Sequence, residues 1–182
     1  MANAVGQSPF QYLVDIERRA RQRAKGLPRK EQIQEIWRGI AFRVGDSFLV
    51  SSITHVDRIM NCPNVLAKVP GAKTWVRGLA NIRGILLPVI DLHACLSNKI
   101  TSIESHSRLI IINQNGIYAG LLVDEVMGIK HFPEELLDTE APCQEAWVSP
   151  FNKGLFHYEQ QIWVVFDMQV LTESNQFLNA AL

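Results

Sequence analysis

Between Val69 and Leu92 the chain reads V-P-G-A-K-T-W-V-R-G-L-A-N-I-R-G-I-L-L-P-V-I-D-L, two apolar runs on either side of one tight, charged turn. Trp75, Val76, Leu79 and Ile82 lead in, and Ile85 to Leu92 lead out. Asn and Gly tolerate left-handed backbone angles, so Asn81-Ile82-Arg83-Gly84 is where the chain reverses. Ile85-Leu86-Leu87 is an unbroken apolar run, the pattern of a strand buried on both faces. Pro88 has no N–H to give to a ladder, which places an interruption or an open edge there. Arg83 stands among aliphatic residues and must reach water, a carboxylate or a partner.

The rest of the chain is punctuated in a similar way. Ser8-Pro9 opens a helix, and Phe10, Leu13, Val14, Ala20 and Ala24 recur at roughly helical spacing up to Gly26 and Pro28. A second short helix is expected from Arg29 to Trp37, with Ile33, Ile36 and Trp37 on one side. Its narrow apolar stripe is expected to pack on the body of the protein and to bury Trp37. Ile40, Phe42 and Val44 then alternate with polar residues, Gly45-Asp46 turns, and Phe48-Leu49-Val50 returns, which makes a hairpin. Asn98 to Ser107 is polar and reads as a mobile loop. Asn115-Gly116 is the strongest hairpin signal, between Leu109–Ile112 and Tyr118–Val123. Leu155–Tyr158 and Ile162–Phe166 pair across Glu159-Gln160, and Asp167 can cap a final helix. Short strands at this spacing argue for an all-β barrel or sandwich, with a strand–turn–strand–helix pattern occurring twice but no visible sequence repeat.

Composition narrows the function. The 182 residues are 47% hydrophobic and 20% charged, with zero formal net charge, so nothing points globally to nucleic acid or anionic membrane. The charge is uneven: residues 1–38 carry eight basic and four acidic side chains, and residues 39–182 carry ten and fourteen. The basic stretch over 18–30 reads as a solvated face, as a surface for an acidic partner or, without interleaved aromatics or a second basic patch to support it, as a nucleic-acid or membrane contact. Cys62, Cys95 and Cys143 are odd in number and match no zinc or redox spacing, which suggests reduced cytosolic thiols. There is no apolar run of membrane-spanning length and no signal-peptide pattern, so a soluble, cytoplasmic protein is expected.

No catalytic constellation is visible. Phosphate-binding glycine loops and metalloprotease or serine-hydrolase motifs are missing, and His55, His93, His106, His131 and His157 stand far apart. Asp91 and Asp124 each follow an apolar strand and read either as turn caps or as an acid–base pair. Trp75 and Trp147 read as core or interface anchors. The residues alone favour a binding module over an enzyme, with no metal and no cofactor called.

The central stretch resembles the signature of the CheW family, V-P-x(5)-V-x-G-x-x-N-[IL]-R-G-x-[IL]-x-P-V-[IV]-D-L. G-I-A-F-R-V-G-D-S-F-L-V, L-I-I-I-N-Q-N-G-I-Y-A-G-L-L-V-D-E-V and G-L-F-H-Y-E-Q-Q-I-W-V-V-F-D resemble three further family motifs, in order. The N-terminal P-F-Q-Y-L-V-D-I-E-R-R-A-R-Q-R-A-K-G-L-P resembles the PilI-type branch, which serves type IV pili and twitching motility. The resemblance implies two five-stranded SH3-like β-barrels over residues 39–172, a helical extension over 1–38 and a tail over 173–182. It implies a non-catalytic adaptor between a chemoreceptor's cytoplasmic tip and the regulatory domain of a CheA-type histidine kinase. The adaptor would be cytoplasmic and recruited to receptor arrays at the inner membrane. Motif matching places Val56, Gly78, Arg83, Gly84 and Val126 at or near a receptor-binding groove between the barrels, and leaves the kinase contacts unassigned. Arg58 stands where the family often has Glu, His93 where it often has Arg, and residues 138–150 depart from the usual pattern. The rival readings are another interaction module, such as an SH3-like nucleic-acid binder, and a small enzyme built on Asp91 or Asp124.

Overall fold

The computed structural model of the chain describes residues 35–180 and the helical positions Leu13, Ile16, Glu17 and Arg19. The chain divides into two compact units, Met1–Gln34 and Glu35–Leu182. Of the first unit, Leu13 and Ile16 are exposed. Phe10, Val14, the basic positions other than Arg19 and the start of the second expected helix lie outside the described residues. That helix does not reach Trp37, because Ile36 and Trp37 already belong to strand β1, Ile36–Val44. Cross-strand pairing decides the matter: Ile36 and Trp37 lie opposite Pro133 and Phe132, and the half-buried Trp37 ring packs 5.4 Å from Phe156.

Among the described residues, eleven strands make two curled sheets. β2 (Ser47–Ser52), β8 (Glu125–Pro133), β9 (Leu137–Asp138), β10 (Asn152–Tyr158) and β11 (Gln161–Phe166) join β1 in the order β8-β1-β2-β11-β10-β9. We call this the terminal barrel, since both ends of the unit feed it. The middle of the chain forms the central barrel: β3 (Arg58–Asn61), β4 (Val76–Ile82), β5 (Ile85–Asp91), β6 (Arg108–Gln114) and β7 (Ile117–Val123), in the order β3-β6-β7-β5-β4. The two-residue β9 gives the terminal sheet a sixth strand where five were expected. Helix α1 (Leu92–Ser97) follows β5, and α2 (Met168–Glu173) and α3 (Asn175–Leu178) follow β11.

The apolar runs follow from three hydrophobic layers. Side chains alternate across a strand, so a strand with oil on both faces has no polar face. Leu109 and Ile111 enter the core inside the central barrel, while Ile110 and Ile112 enter a second core shared by both barrels. On β1, Ala41 faces the terminal barrel's own core, and Ile40, Phe42 and Val44 face the shared one. The expected burial of Ile85-Leu86-Leu87 holds only for Leu87; Ile85 and Leu86 are 56% and 63% exposed. The reason is local. β7 pairs with β5 only from Val89 onward, so the stretch before and including Pro88 is held by β4 alone.

The two barrels are built on one plan. In each, a hairpin (β6–β7 or β1–β2) lies against a second hairpin (β4–β5 or β10–β11) through a parallel strand pair. Segments 75–92 and 151–168 correspond residue for residue. The Asp91 N–H donates to the Trp75 carbonyl and the Asp167 N–H to the Phe151 carbonyl, each at 2.8 Å. Asp91 and Asp167 then cap α1 and α2, accepting from the Ala94 and Gln169 N–H groups. Arg77 and Lys153 reach the same two carboxylates at 3.4 and 2.6 Å. Few side chains match between the copies, which hides the repeat in the sequence; Gly78-Leu79 and Gly154-Leu155 are the clearest pair.

Gly78 and Gly154 show why glycine survives there. They have φ of 139° and 143° at bulges in β4 and β10. A Cβ on Gly78 would sit 2.6 Å from the Ala67 carbonyl oxygen, and one on Gly154 2.9 Å from that of Asp138. Gly78→Ala and Gly154→Ala should each cost roughly 1–3 kcal/mol, the scale of a strained backbone position. Chemical denaturation of both variants checks this, and similar losses at the two sites are expected.

Candidate functional site

The turn between β4 and β5 is exposed, together with Ile85 and Leu86 that follow it. Arg83 and Gly84 have φ of 53° and 87°, the two positive angles of a two-residue hairpin turn. Asn81 stabilises it, its Oδ1 accepting from the Gly84 N–H at 2.8 Å. Open space surrounds the place where a Gly84 Cβ would point, so glycine is needed there for backbone angle alone. The Arg83 guanidinium is solvent-exposed and makes no ion pair among the described residues. With Ile85 and Leu86 beside it, the tip offers a free cation next to uncovered apolar surface.

Val56 and Val126 lie elsewhere, and both pack partly buried against the shared inter-barrel core. Val56 closes the single helical turn Ile53–His55 that leads into β3. Val126 sits opposite Phe42, beside an irregularity where Met127 is the extra residue and Gly128 takes φ of 93°. The structure therefore groups the five expected positions into three places. Val56 and Val126 lie on the shared core, Arg83 and Gly84 at the hairpin tip, and Gly78 inside β4 under Ala67. Gly78 has a counterpart in Gly154, which supports a structural role for it.

Arg58 does not take up the place of a partner for Arg83. It pairs with its neighbour Asp57 at 3.0 Å on the surface, a contact of small energetic value. His93 packs on Trp147 with ring centroids 5.4 Å apart, and the divergent 138–150 segment is anchored there and by the fully buried Val148. These side-chain contacts left no sequence pattern to read.

The acid–base reading of Asp91 and Asp124 fails on geometry. Asp91 is fully buried, and its carboxylate accepts from the Ala94 and Thr101 N–H groups and the Thr101 hydroxyl, with Arg77 alongside. The same bonds pin the 98–107 loop, which was expected to be mobile. Asp124 accepts from the Gly45 N–H at 2.7 Å. Cavities of about 480 and 500 Å³ occur, and neither carboxylate lines them. Burial also keeps two of the thiols, Cys95 and Cys62, in their protonated form. Burial and the nearby Asp91 charge push Cys95 up to about 12, against a smaller opposite pull from Lys73. Burial raises Cys62 despite Arg77. Among the described residues no His/Cys/Asp/Glu group could hold a metal ion.

The CheW-like domain family matches residues 38–176. This chain belongs to the CheW-like family. Protein PilI of Pseudomonas aeruginosa is 40% identical over 175 residues, 96% of this chain and 97% of the relative. Chemotaxis protein CheW of Rhizobium meliloti is 34% identical over 137 residues, 75% of this chain and 88% of that one. The crystal structure of scaffolding protein TtCheW from Thermoanaerobacter tengcongensis has the same fold, with a TM-score of 0.66 at 23% identity, covering 77% of this chain and 94% of that one. The CheW-like match and the similarity to PilI over nearly the whole chain place it in the PilI-type branch of these chemosensory adaptors.

One electrostatic consequence is testable. Burial alone would raise the Asp167 carboxyl, but the Lys153 ammonium and the Gln169 and Val170 N–H groups outweigh it and hold it below the usual range. A lowered carboxyl contributes stability above its unfolded value of about 3.9 and loses it as pH falls through the folded value. Asn can keep the cap but not the charge pair, whose lysine is exposed. Asp167→Asn should therefore cost on the order of 1 kcal/mol at neutral pH. Denaturation midpoints from pH 7 to pH 3 should show the gap to the parent protein closing below about pH 4.

Proposed function

We propose that this adaptor couples a chemoreceptor to a CheA-type histidine kinase in a pathway controlling type IV pili and twitching motility. The observation that carries the reading is the β4–β5 tip. Its Arg83, without an ion pair among the described residues, and its exposed Ile85 and Leu86 stand on a barrel whose fully buried carboxylate, Asp91, is engaged as a cap. A guanidinium so placed can give directed hydrogen bonds to a carboxylate or carbonyl of a partner helix. Similarity to PilI over nearly the whole chain supports the pilus assignment. We place the receptor's cytoplasmic hairpin along the surface that runs from this tip toward Val56 and Val126, and the kinase regulatory domain on another face. The basic stretch 18–30 would enlarge an interface that ordinary adaptors lack. Recruitment from the cytoplasm to receptor arrays at the inner membrane belongs to the same reading. Among the described residues no helix is long and apolar enough to cross a membrane. A non-catalytic role fits a family of scaffolds and a chain whose strand-end aspartates are spent on structure.

Arg83→Ala removes no ion pair or side-chain hydrogen bond among the described residues and should leave the unfolding midpoint nearly unchanged. It should weaken binding of a receptor-tip peptide by about 1–3 kcal/mol, the value of a hydrogen bond to a charged group. Isothermal calorimetry measures this directly; an unaltered dissociation constant would remove Arg83 from the interface.

A further inference from the structure

The segment after α2, expected to be a tail, crosses from one barrel to the other. The C-terminal helices begin at Asp167, at the end of β11 in the terminal barrel. Every polar contact they then make outside themselves, among those described, goes to the central barrel. The Asn115 side-chain amide, in the β6–β7 turn, donates to the Glu173 carboxylate at 3.1 Å. The Gln176 amide donates to the Cys95 carbonyl in α1. The Lys73 N–H, just before β4, donates to the Ala180 carbonyl at 2.9 Å. Between these bonds Phe177, only 6% exposed, enters the hydrophobic core that both barrels share.

α3 spans Asn175–Leu178 and is far too short to hold itself together in water. Ser174 starts it, accepting from the Phe177 N–H at 3.3 Å, and the rest of its stability comes from the crossing. The crossing is not packed flush. A cavity of about 500 Å³ is lined by Leu96, Trp147, Phe151 and Gln176, where strap, α1 and the divergent loop meet. Residues 174–180, held to the central barrel by two of these hydrogen bonds and one ring beside an open cavity, are the kind of element that opens before the sheets do.

We propose that residues 174–180 are a strap that positions the central barrel against the terminal barrel and so sets the receptor groove proposed beside Val56 and Val126. The link to the groove rests on the receptor-binding reading above; the strap itself does not. Gln176 and Phe177 are positioning residues, acting on a partner only through the angle between the barrels.

Hydrogen exchange on the full chain, on a chain ending after Glu173 and on the milder Phe177→Ala tests this, with a receptor-tip peptide titrated into each. Both variants should exchange about tenfold or more faster at 69–76 and across Leu92–Ser97. Leu109–Ile112 and Phe48–Val50 should stay protected. Peptide affinity should fall about tenfold although, among the described residues, no hydrogen bond joins the strap to Arg83. Unchanged exchange at 69–76 and 92–97 in both variants would overturn the strap, as would loss of protection throughout both sheets, which would make the segment ordinary core. Local loosening with unchanged affinity would overturn the setting of the groove. If the parent protein fails to bind the peptide, the receptor reading falls while the exchange pattern still decides the strap.

Discussion

The molecule depends on one hydrophobic layer that neither barrel owns. Phe42, Leu49, Leu155, Val164 and Phe166 come to it from the terminal sheet, and Ile90, Ile110, Ile112, Leu121 and Val123 from the central one. Each fully buried aliphatic or aromatic side chain contributes roughly 1.5–3 kcal/mol, so this shared layer outweighs any polar contact between the barrels. Two small barrels with private cores alone would be marginal; joined through a common core they bury both faces of their inner strands. Chain order enforces the union, because the polypeptide leaves the terminal barrel after β2, builds the whole central barrel, and returns at β8.

Polar groups in this arrangement are spent on holding strand ends. The two aspartates at the ends of β5 and β11 each receive a backbone cap and a cation, in corresponding places. Asp124 holds the β1–β2 turn. The consequence for function is a division of labour: buried charges fix the frame, and the charge left uncommitted at the signature turn, Arg83, faces solvent. A fixed frame with a free guanidinium suits recognition, since little conformational entropy remains to be lost on binding.

Much of this was legible in the sequence. Glycine and asparagine at turns marked the hairpins, because positive φ selects those residues and leaves a local signal. The apolar run Ile85-Leu86-Leu87 announced a strand buried on both faces, wrongly at Ile85-Leu86, since a run does not say whether a partner strand reaches that far. The strand–turn–strand–helix pattern showed twice but no residue repeat did, because the copies share a hydrogen-bond plan and not side chains: Arg77 answers to Lys153, Trp75 to Phe151. The helix expected to reach Trp37 gave way to pairing with β8, a contact nearly a hundred residues distant that no local pattern encodes. Thr101 and the crossing of 174–180 were hidden for the same reason. Of the site, the motif gave the Arg83–Gly84 turn, and the fold gave its exposure and its separation from Val56 and Val126.

In the proposed function one face, from the β4–β5 tip to the valines on the shared core, receives a receptor helix hairpin. Nuclear magnetic resonance titration of isotope-labelled protein with a receptor-tip fragment tests it position by position. Amide shifts should concentrate at Arg83, Gly84, Ile85, Val56 and Val126, with Leu109–Ile112 unmoved. Shifts confined to the outer strands of the terminal barrel, or none at saturating fragment, would contradict the account.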